Sequence, residues 1–237
     1  NIRGDISVNG ELLDEHSDFN VLTSNERINH IIDKLSLYGC DDGFPKGLIF
    51  CSRNSESKQL SDSFNNLGYK TISLSGRNTE KERKGAIKNL EAGKLNYIFT
   101  VDIFNEGIDI PCLNQIIMLR PTQSAIIFVQ QLGRGLRKLD NKDYLTVIDF
   151  IGNYKNNYLI AIALHGDTTY NKDSIRKCVK EGIVGPSTIN FDRISKERIF
   201  ASINSANMKT KRELVTDYKL LKYKLGKIPS MVDFIKY

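Results

Sequence analysis

The sequence predicts an α/β protein: a parallel β-sheet covered by helices on both faces, followed by a mainly helical C-terminal region. Apolar, β-branched runs alternate with segments of helical periodicity up to about residue 150, an alternation typical of a parallel sheet. Beyond residue 150 the patterns are helical. A length of 237 residues, 40% of them hydrophobic, suffices for one large α/β domain or for one domain plus a small accessory unit.

A leading helix is predicted over about residues 24–38, after a connector at residues 1–22 that has no sustained period. Thr23 and Glu26 have the spacing of a capping box, and Gly39 marks the end of the helix. One apolar stripe lies between these signals, formed by Ile28, Ile31, Ile32 and Leu35.

Five apolar runs predict the strands of the sheet. They cover residues 47–51, 69–74, 97–101, 115–119 and 144–150. Because these runs are apolar on both faces, we expect both faces of the sheet to be buried. Such sheets bind ligands at the carboxyl ends of their strands, so candidate functional residues are expected there.

Helices are predicted between the strands. One ends at Gly68, one begins with a second capping box formed by Thr79 and Glu82, and one spans residues 124–136. Further helices are predicted after the sheet, at residues 156–165, 173–180, 195–202 and 211–225, with a last one beginning at Pro229.

These patterns predict a connector and leading helix at residues 1–46, one α/β domain at 47–152 and a helical accessory region at 153–237. Because the chain begins with Asn1 instead of Met and ends inside a predicted helix, we expect a piece of a longer protein with a truncated accessory region. We expect it to be cytoplasmic, since no apolar run reaches the roughly 20 residues of a membrane span and no signal peptide is evident.

Cysteine usage predicts neither a disulfide framework nor a metal site. The four cysteines are far apart, with no C-x-x-C pair and no histidine at ligand spacing. Net charge is +6, and residues 151–237 hold 16 basic and 8 acidic side chains. This basic excess suits a polyanion such as nucleic acid, although charge alone leaves a solvated lysine-rich helix face equally open.

The segment IIFVQQLGRGLRK, residues 126–138, carries the sharpest chemical signal. On a helix Gln130, Arg134 and Arg137 share one stripe beside Gly133, which keeps the surface low. Two guanidinium groups on one stripe are suited to clamp phosphoryl oxygens or a carboxylate. Taken alone, however, the segment is better interpreted as an ordinary surface helix with two exposed arginines.

Three other segments place polar residues at predicted strand ends. They are GLIFCSR at 47–53, LSG at 74–76 and TVDIFNEGIDIP at 100–111. Backbone N–H groups and helix dipoles at such strand-to-helix junctions favour phosphate. Each segment alone could be an ordinary turn.

In this order the four segments resemble the second RecA-like domain of superfamily 2 helicases. GLIFCSR is similar to motif IV, LSG to motif IVa, TVDIFNEGIDIP to motif V and QQLGRGLR to motif VI. The sequence of motif VI is closer to that of DNA-directed members than to that of DEAD-box proteins, which act on RNA. The whole chain looks like bacterial DEAD/DEAH-like helicases of restriction or repair type with a C-terminal extension.

The resemblance implies roles for individual residues. Arg134 and Arg137 would be arginine fingers at the γ-phosphate of ATP, with Gln130 coupling them to motif V. Gly107, Asp109 and Gly133 would border the nucleotide cleft. The nucleic-acid backbone would be contacted by Ser52, Arg53, Ser75, Gly76 and Thr100. Gln131 stands where many relatives have arginine and receives no role.

A complete motor also needs a P-loop and a Walker B acidic pair, and neither is present in these 237 residues. Residues 13–16, LDEH, lack a preceding strand, and the apolar run at 144–149 is interpreted as sheet core. We therefore expect the C-terminal half of an ATP-dependent DNA helicase. ATP, with its Mg²⁺, would be held by an N-terminal RecA-like domain of the same polypeptide, and this chain alone would be inactive.

Two other classes of protein remain open. A non-catalytic nucleic-acid-binding module with a RecA-like fold would need no ATP contacts. A Rossmann-type nucleotide enzyme is suggested by Gly133 and Gly135, but these glycines do not close a first strand. Residues 218–223, followed by LGKIPSMVDF at 225–234, also suggest a helix-turn-helix-like DNA reader, with a packing module as the favoured interpretation.

Overall fold

The computed structural model describes residues 7–8, 11–12, 23–101, 103, 110–120, 142–150, 158–165, 171–181, 189, 191–206 and 211–230. The chain forms two compact units, Asn1–Ile160 and Ala161–Tyr237. The predicted domain boundary at residue 152 lies outside the described residues, as does the whole of the predicted helix at 124–136.

The first unit is built on a five-stranded parallel sheet, which confirms the predicted α/β class. Its strands are β3 (Gly47–Phe50), β4 (Thr71–Leu74), β5 (Tyr97–Thr100), β6 (Gln115–Met118) and β7 (Thr146–Asp149). They lie in the order β4-β5-β3-β6-β7. Each strand is one to three residues shorter than the sequence predicts, because strand ends are not fixed by local pattern.

An additional two-stranded antiparallel pair, β1 (Ser7–Val8) and β2 (Glu11–Leu12), lies in the predicted connector. Pairs this short have no alternation to detect, so sequence patterning did not predict them.

Helices α1 (Asn25–Tyr38), α2 (Asn54–Asn66) and α3 (Glu80–Glu91) accompany the sheet. The Thr79–Glu82 capping box before α3 is present, with both reciprocal hydrogen bonds. The capping box predicted for α1 from Thr23 is wrong by one residue. Ser24 is the N-cap, and its hydroxyl accepts a hydrogen bond from the Arg27 N–H. Adjacent Thr and Ser are both good caps, so the pattern does not separate them.

The main core lies between one face of the sheet and helices α1 and α2. Ile31 from α1, Phe64 from α2 and Phe99 from β5 are all fully buried there. Successive strand residues alternate between faces. Leu48, Ile98 and Ile116 therefore point to the opposite face, where they are also fully buried.

The expectation of strands buried on both faces is confirmed for β3, β5 and β6. It is wrong for β4 and β7, which expose Ile72 and Val147. These two strands are the edges of the sheet, where fewer neighbours cover the side chains.

The second unit is helical where it is described. Its elements include α5 (Lys172–Glu181), α6 (Arg193–Ser205) and α7 (Lys211–Leu225), preceded by α4 (Tyr158–His165) at its start. Side chains of α5 reach α6: Arg176 Nη2 donates to Asn204 Oδ1 at 2.5 Å. Of the helix predicted from Pro229, the structure describes only Pro229 and Ser230, which are not helical; residues 231–237 lie outside the described residues. No described helix is long and apolar enough to cross a membrane.

Candidate functional site

The carboxyl ends of the five strands meet at one edge of the sheet. Leu74, Thr100, Phe50, Met118 and Asp149 occupy one row of paired positions across β4, β5, β3, β6 and β7. Neighbouring parallel strands are about 4.8 Å apart. The described nucleic-acid-binding candidates follow or end the first three strands of this row, so the fold brings them together.

Ser52 and Arg53 lie between β3 and the start of α2, where Arg53 is the N-cap residue. The Ser52 N–H donates to Glu56 Oε2 at 2.8 Å. The Ser52 hydroxyl is buried and makes no hydrogen bond to any residue that the structure describes. The loop is thus held through its backbone, and the hydroxyl keeps its hydrogen-bonding capacity for a ligand.

Ser75 and Gly76 form the loop after β4. Asn78 Oδ1 accepts a hydrogen bond from the Ser75 N–H at 2.8 Å, and Arg83 Nη2 donates to the Gly76 carbonyl at 3.1 Å. A Cβ at Gly76 would meet nothing within 4 Å, so the loop leaves open space on that side. Asn78 and Arg83 therefore shape this loop, although sequence reasoning did not select them.

Thr100 ends β5 and is fully buried. Its backbone carbonyl accepts a hydrogen bond from the Cys51 N–H at 2.9 Å, which ties the end of β5 to the end of β3. Its hydroxyl has no hydrogen-bond partner. A direct contact between Thr100 and nucleic acid therefore requires that this hydroxyl become accessible.

Asp149 ends the edge strand β7, and the structure adds it to the polar groups of this region. Both carboxylate oxygens are inaccessible to solvent and lack a hydrogen-bond partner, although the residue as a whole is only partly buried. Burial raises the pKa of this carboxyl well above its ordinary value. The run forms a strand of the sheet, but β7 is an edge strand that exposes Val147, and nothing in the pattern indicated that the carboxylate would be unpaired.

A buried ion pair is the second feature that sequence reasoning missed. Arg27 Nη1 lies 2.7 Å from Glu56 Oε1, with side-chain exposures of 6% and 0%. The available signal was a charge on each of two apolar stripes. Arg27 is four residues before Ile31, and Glu56 is four residues before Leu60.

The residues predicted at the nucleotide lie outside the described part of the chain. They are Gly107, Asp109, Gln130, Gly133, Arg134 and Arg137. Within the described ranges, no group of three or more histidine, cysteine, aspartate or glutamate side chains could hold a metal ion. The described part of the site is therefore the predicted nucleic-acid side.

Residues 26–138 match the family model described as the helicase conserved C-terminal domain. The protein named "Putative ATP-dependent helicase IRC3" from Saccharomyces cerevisiae is 31% identical over 132 residues, which are 55% of this chain and 19% of that protein. The DEAD-box ATP-dependent RNA helicase CshB from Staphylococcus aureus is 27% identical over 140 residues, which are 59% of this chain and 26% of CshB. The chain thus spans about a quarter or less of either relative.

Among solved structures, the C-terminal part of the Fun30 ATPase domain superposes with a TM-score of 0.47 at 19% identity. The matched region is 54% of this chain and 41% of the Fun30 chain. The family match covers α1, the strands β3 to β6 and the segments that carry all four predicted motifs. Residues 26–138 are therefore similar to the C-terminal domain of helicases, and they include four of the five strands of the parallel sheet.

Proposed function

We propose that this chain is the C-terminal half of an ATP-dependent DNA helicase or translocase. It would supply contacts to the nucleic-acid backbone and arginine fingers to an ATP site shared with an N-terminal RecA-like domain of the same polypeptide. The family match over residues 26–138 and the ATP-dependent helicases among the relatives support this proposal.

One observation carries the nucleic-acid side of the proposal. Candidate phosphate-binding groups follow or end three neighbouring strands, and two of their hydroxyls, on Ser52 and Thr100, are buried without a hydrogen-bond partner. A buried unpaired hydroxyl costs roughly 1–3 kcal/mol, so a ligand oxygen that accepts from it would recover stability. Phosphate oxygens are strong acceptors, and the N-terminus of α2 directly after Arg53 favours negative charge.

The ATP side of the proposal depends on motif VI. ATP, with Mg²⁺ held by the N-terminal domain, would supply the free energy for movement along the nucleic acid. Arg134 and Arg137 would stabilise the negative charge that develops at the γ-phosphate, a role worth about 10³-fold or more in turnover. Gln130 would link them to motif V, while Gly107, Asp109 and Gly133 would border the nucleotide.

DNA is proposed as the substrate because the motif VI sequence resembles DNA-directed members. The net charge of +6 suits any polyanion. Charge does not separate DNA from RNA, so the test compares both.

The experiment measures ATP turnover by the full-length protein with single-stranded DNA, duplex DNA and single-stranded RNA. Turnover should rise on addition of DNA. Arg134→Ala and Arg137→Ala should each lower stimulated turnover at least about 100-fold while DNA affinity stays within about twofold. Arg193→Ala, an exposed arginine at the start of α6, is the matched control and should leave turnover unchanged.

Two results would contradict the proposal. Turnover that survives the loss of both arginines would support the alternative of a non-catalytic nucleic-acid-binding module. Substantial turnover by the 237-residue chain alone would show that it needs no partner domain. Stimulation by RNA and not by DNA would reassign the substrate.

A further inference from the structure

The ion pair between Arg27 and Glu56 connects three elements of the first unit. Arg27 lies in the first turn of α1 and Glu56 in the first turn of α2. Arg27 Nη1 donates to Glu56 Oε1 at 2.7 Å, and Arg27 Nη2 donates to the Leu119 carbonyl at 3.3 Å. Leu119 follows β6 directly, so one guanidinium joins both helices to a strand end.

The second oxygen of Glu56 extends this connection to the predicted nucleic-acid contact. Glu56 Oε2 accepts a hydrogen bond from the Ser52 N–H at 2.8 Å. The Leu119 N–H in turn donates to the Phe50 carbonyl at 2.9 Å. The loops after β3 and β6 are therefore joined twice, once through the sheet backbone and once through the Arg27–Glu56 pair.

Stability alone does not account for such a pair. Removing two charges from water costs several kcal/mol per ion, and well-packed apolar residues of similar size are often as stabilising or more so. Apolar contacts already hold α1 and α2 on the sheet, since Ile31 and Leu60 are fully buried in the same core. What an apolar pair could not provide is direction: two donors aimed at fixed oxygens and one acceptor aimed at the Ser52 N–H.

The loops joined by the pair lead to the two halves of the proposed activity. Ser52 is a predicted contact to the nucleic-acid backbone. The chain after Leu119 continues into motif VI, which begins eleven residues later at Gln130 and carries the predicted arginine fingers. A shift at Ser52 would change the geometry of the pair, and the pair would pass that change to Leu119.

We propose that Arg27 and Glu56 are positioning residues that couple the nucleic-acid contact after β3 to the segment after β6 that leads to the arginine fingers. This inference rests on the proposed function. It assigns a role to two residues outside the four motifs and to a helix that precedes all of them.

The test uses full-length protein with the double variant Arg27→Met/Glu56→Leu, which removes both charges together and leaves neither unpaired. Three quantities are measured: the thermal unfolding midpoint, the DNA concentration for half-maximal ATP turnover, and maximal stimulated turnover. The variant should fold with a midpoint close to that of the wild type. Its half-maximal DNA concentration should rise about tenfold and its stimulated turnover should fall about tenfold, as expected when charge-assisted hydrogen bonds are lost.

A second variant separates the two arms of the pair. In Arg27→Met/Glu56→Gln the amide oxygen of Gln can still accept the Ser52 N–H, whereas Leu119 has lost its donor. The half-maximal DNA concentration should then return toward the wild-type value while stimulated turnover stays low. A purely structural role would not produce this split. The matched control is Glu80→Leu/Lys84→Met, which removes an exposed ion pair of 2.7 Å on α3 and should change none of the three quantities.

The outcomes are distinguishable. If wild-type protein shows no DNA-stimulated turnover, the proposed function fails, and the coupling inference fails with it. If wild-type protein is stimulated and Arg27→Met/Glu56→Leu matches it in both DNA dependence and turnover, the coupling inference alone is overturned. A double variant that does not fold also overturns the inference, because the pair would then be structural.

Discussion

Gly47 lies directly beneath the aromatic ring of Tyr97. A Cβ placed on Gly47 would come within 2.6 Å of Tyr97 Cδ1, closer than side-chain carbons approach. The Tyr97 ring crosses the start of β3 because its hydroxyl donates a hydrogen bond of 2.6 Å to Oε1 of Gln115, which lies on β6. Gly47 pairs with both residues in the sheet register, so a tyrosine on β5 reaches β6 over a residue that has no side chain.

Gly47→Ala is therefore predicted to destabilise the protein. The added methyl group must displace a ring that is 1% exposed and held at its far end, which should lower the free energy of unfolding by about 1–3 kcal/mol. Urea unfolding of the 237-residue chain, followed by circular dichroism, measures this change.

Gly85→Ala is the matched control. Gly85 lies within α3, and a Cβ there would meet nothing within 4 Å. Alanine has a helix propensity about 1 kcal/mol better than glycine, so this variant should be more stable than wild type. An unchanged stability for Gly47→Ala would contradict the close approach of Tyr97.

Arg83→Met is predicted to weaken nucleic-acid binding through the loop after β4. Arg83 Nη2 donates to the Ser75 and Gly76 carbonyls at 3.4 and 3.1 Å. Because the C=O and N–H of one peptide point in opposite directions, holding the Ser75 carbonyl turns the Gly76 N–H away from Arg83. Loss of the Arg83 hydrogen bonds to these carbonyls should lower DNA affinity about fivefold, which is equivalent to about 1 kcal/mol, the net contribution of one hydrogen bond.

The comparison for this prediction is Lys84→Met, which removes the same charge from the next residue. Lys84 makes only an exposed ion pair with Glu80 among its described contacts. Titration of fluorescent single-stranded DNA measures both affinities at the same ionic strength. Equal affinities in the two variants would mean that Arg83 contributes only charge.

Asp149→Asn is predicted to stabilise the protein at neutral pH. Burial raises the pKa of Asp149, so the native state binds a proton more tightly than the unfolded state does. The stability contribution of this carboxyl is therefore fully present below its unfolded pKa of about 3.9 and is lost as the pH rises through the raised native pKa. Asparagine does not titrate and escapes this loss.

The variant should have the higher free energy of unfolding at pH 7, because the ionised carboxylate is buried as a charge whereas the amide is neutral, and the difference should shrink near pH 4. Urea unfolding of the 237-residue chain at pH 4, 5, 6 and 7 measures the difference. A variant that is less stable than wild type at pH 7 would show that the carboxylate has an ionic partner in solution.

The predictable part of the fold was the part set by local chemistry. The capping box of Thr79 and Glu82 involves residues three apart in sequence, and the apolar runs of β3, β5 and β6 identify buried strands without reference to the rest of the chain. The edge position of β4, by contrast, depends on the order of strands in the sheet. Exposure of Ile72 follows from that order and has no local signal.

The candidate site divides in the same way. Ser52, Ser75 and Thr100 could be selected because each follows or ends an apolar run, and parallel strands bring such positions to one edge. Arg27 and Glu56 are 29 residues apart, and their pairing exists only once α1 and α2 pack on the same face. The sequence showed a charge on each apolar stripe, but only the fold joined the two charges.

Translocation along DNA is the most direct test of the central proposal. The full-length protein is incubated with a duplex that carries a fluorescent third strand, and displacement of that strand is followed with ATP or with a non-hydrolysable analogue. We predict that the strand is displaced with ATP and not with the analogue. Displacement should be lost in Arg134→Ala and retained in Arg193→Ala. Displacement that proceeds equally well with the analogue, or that survives Arg134→Ala, would contradict an ATP-driven motor completed by this chain.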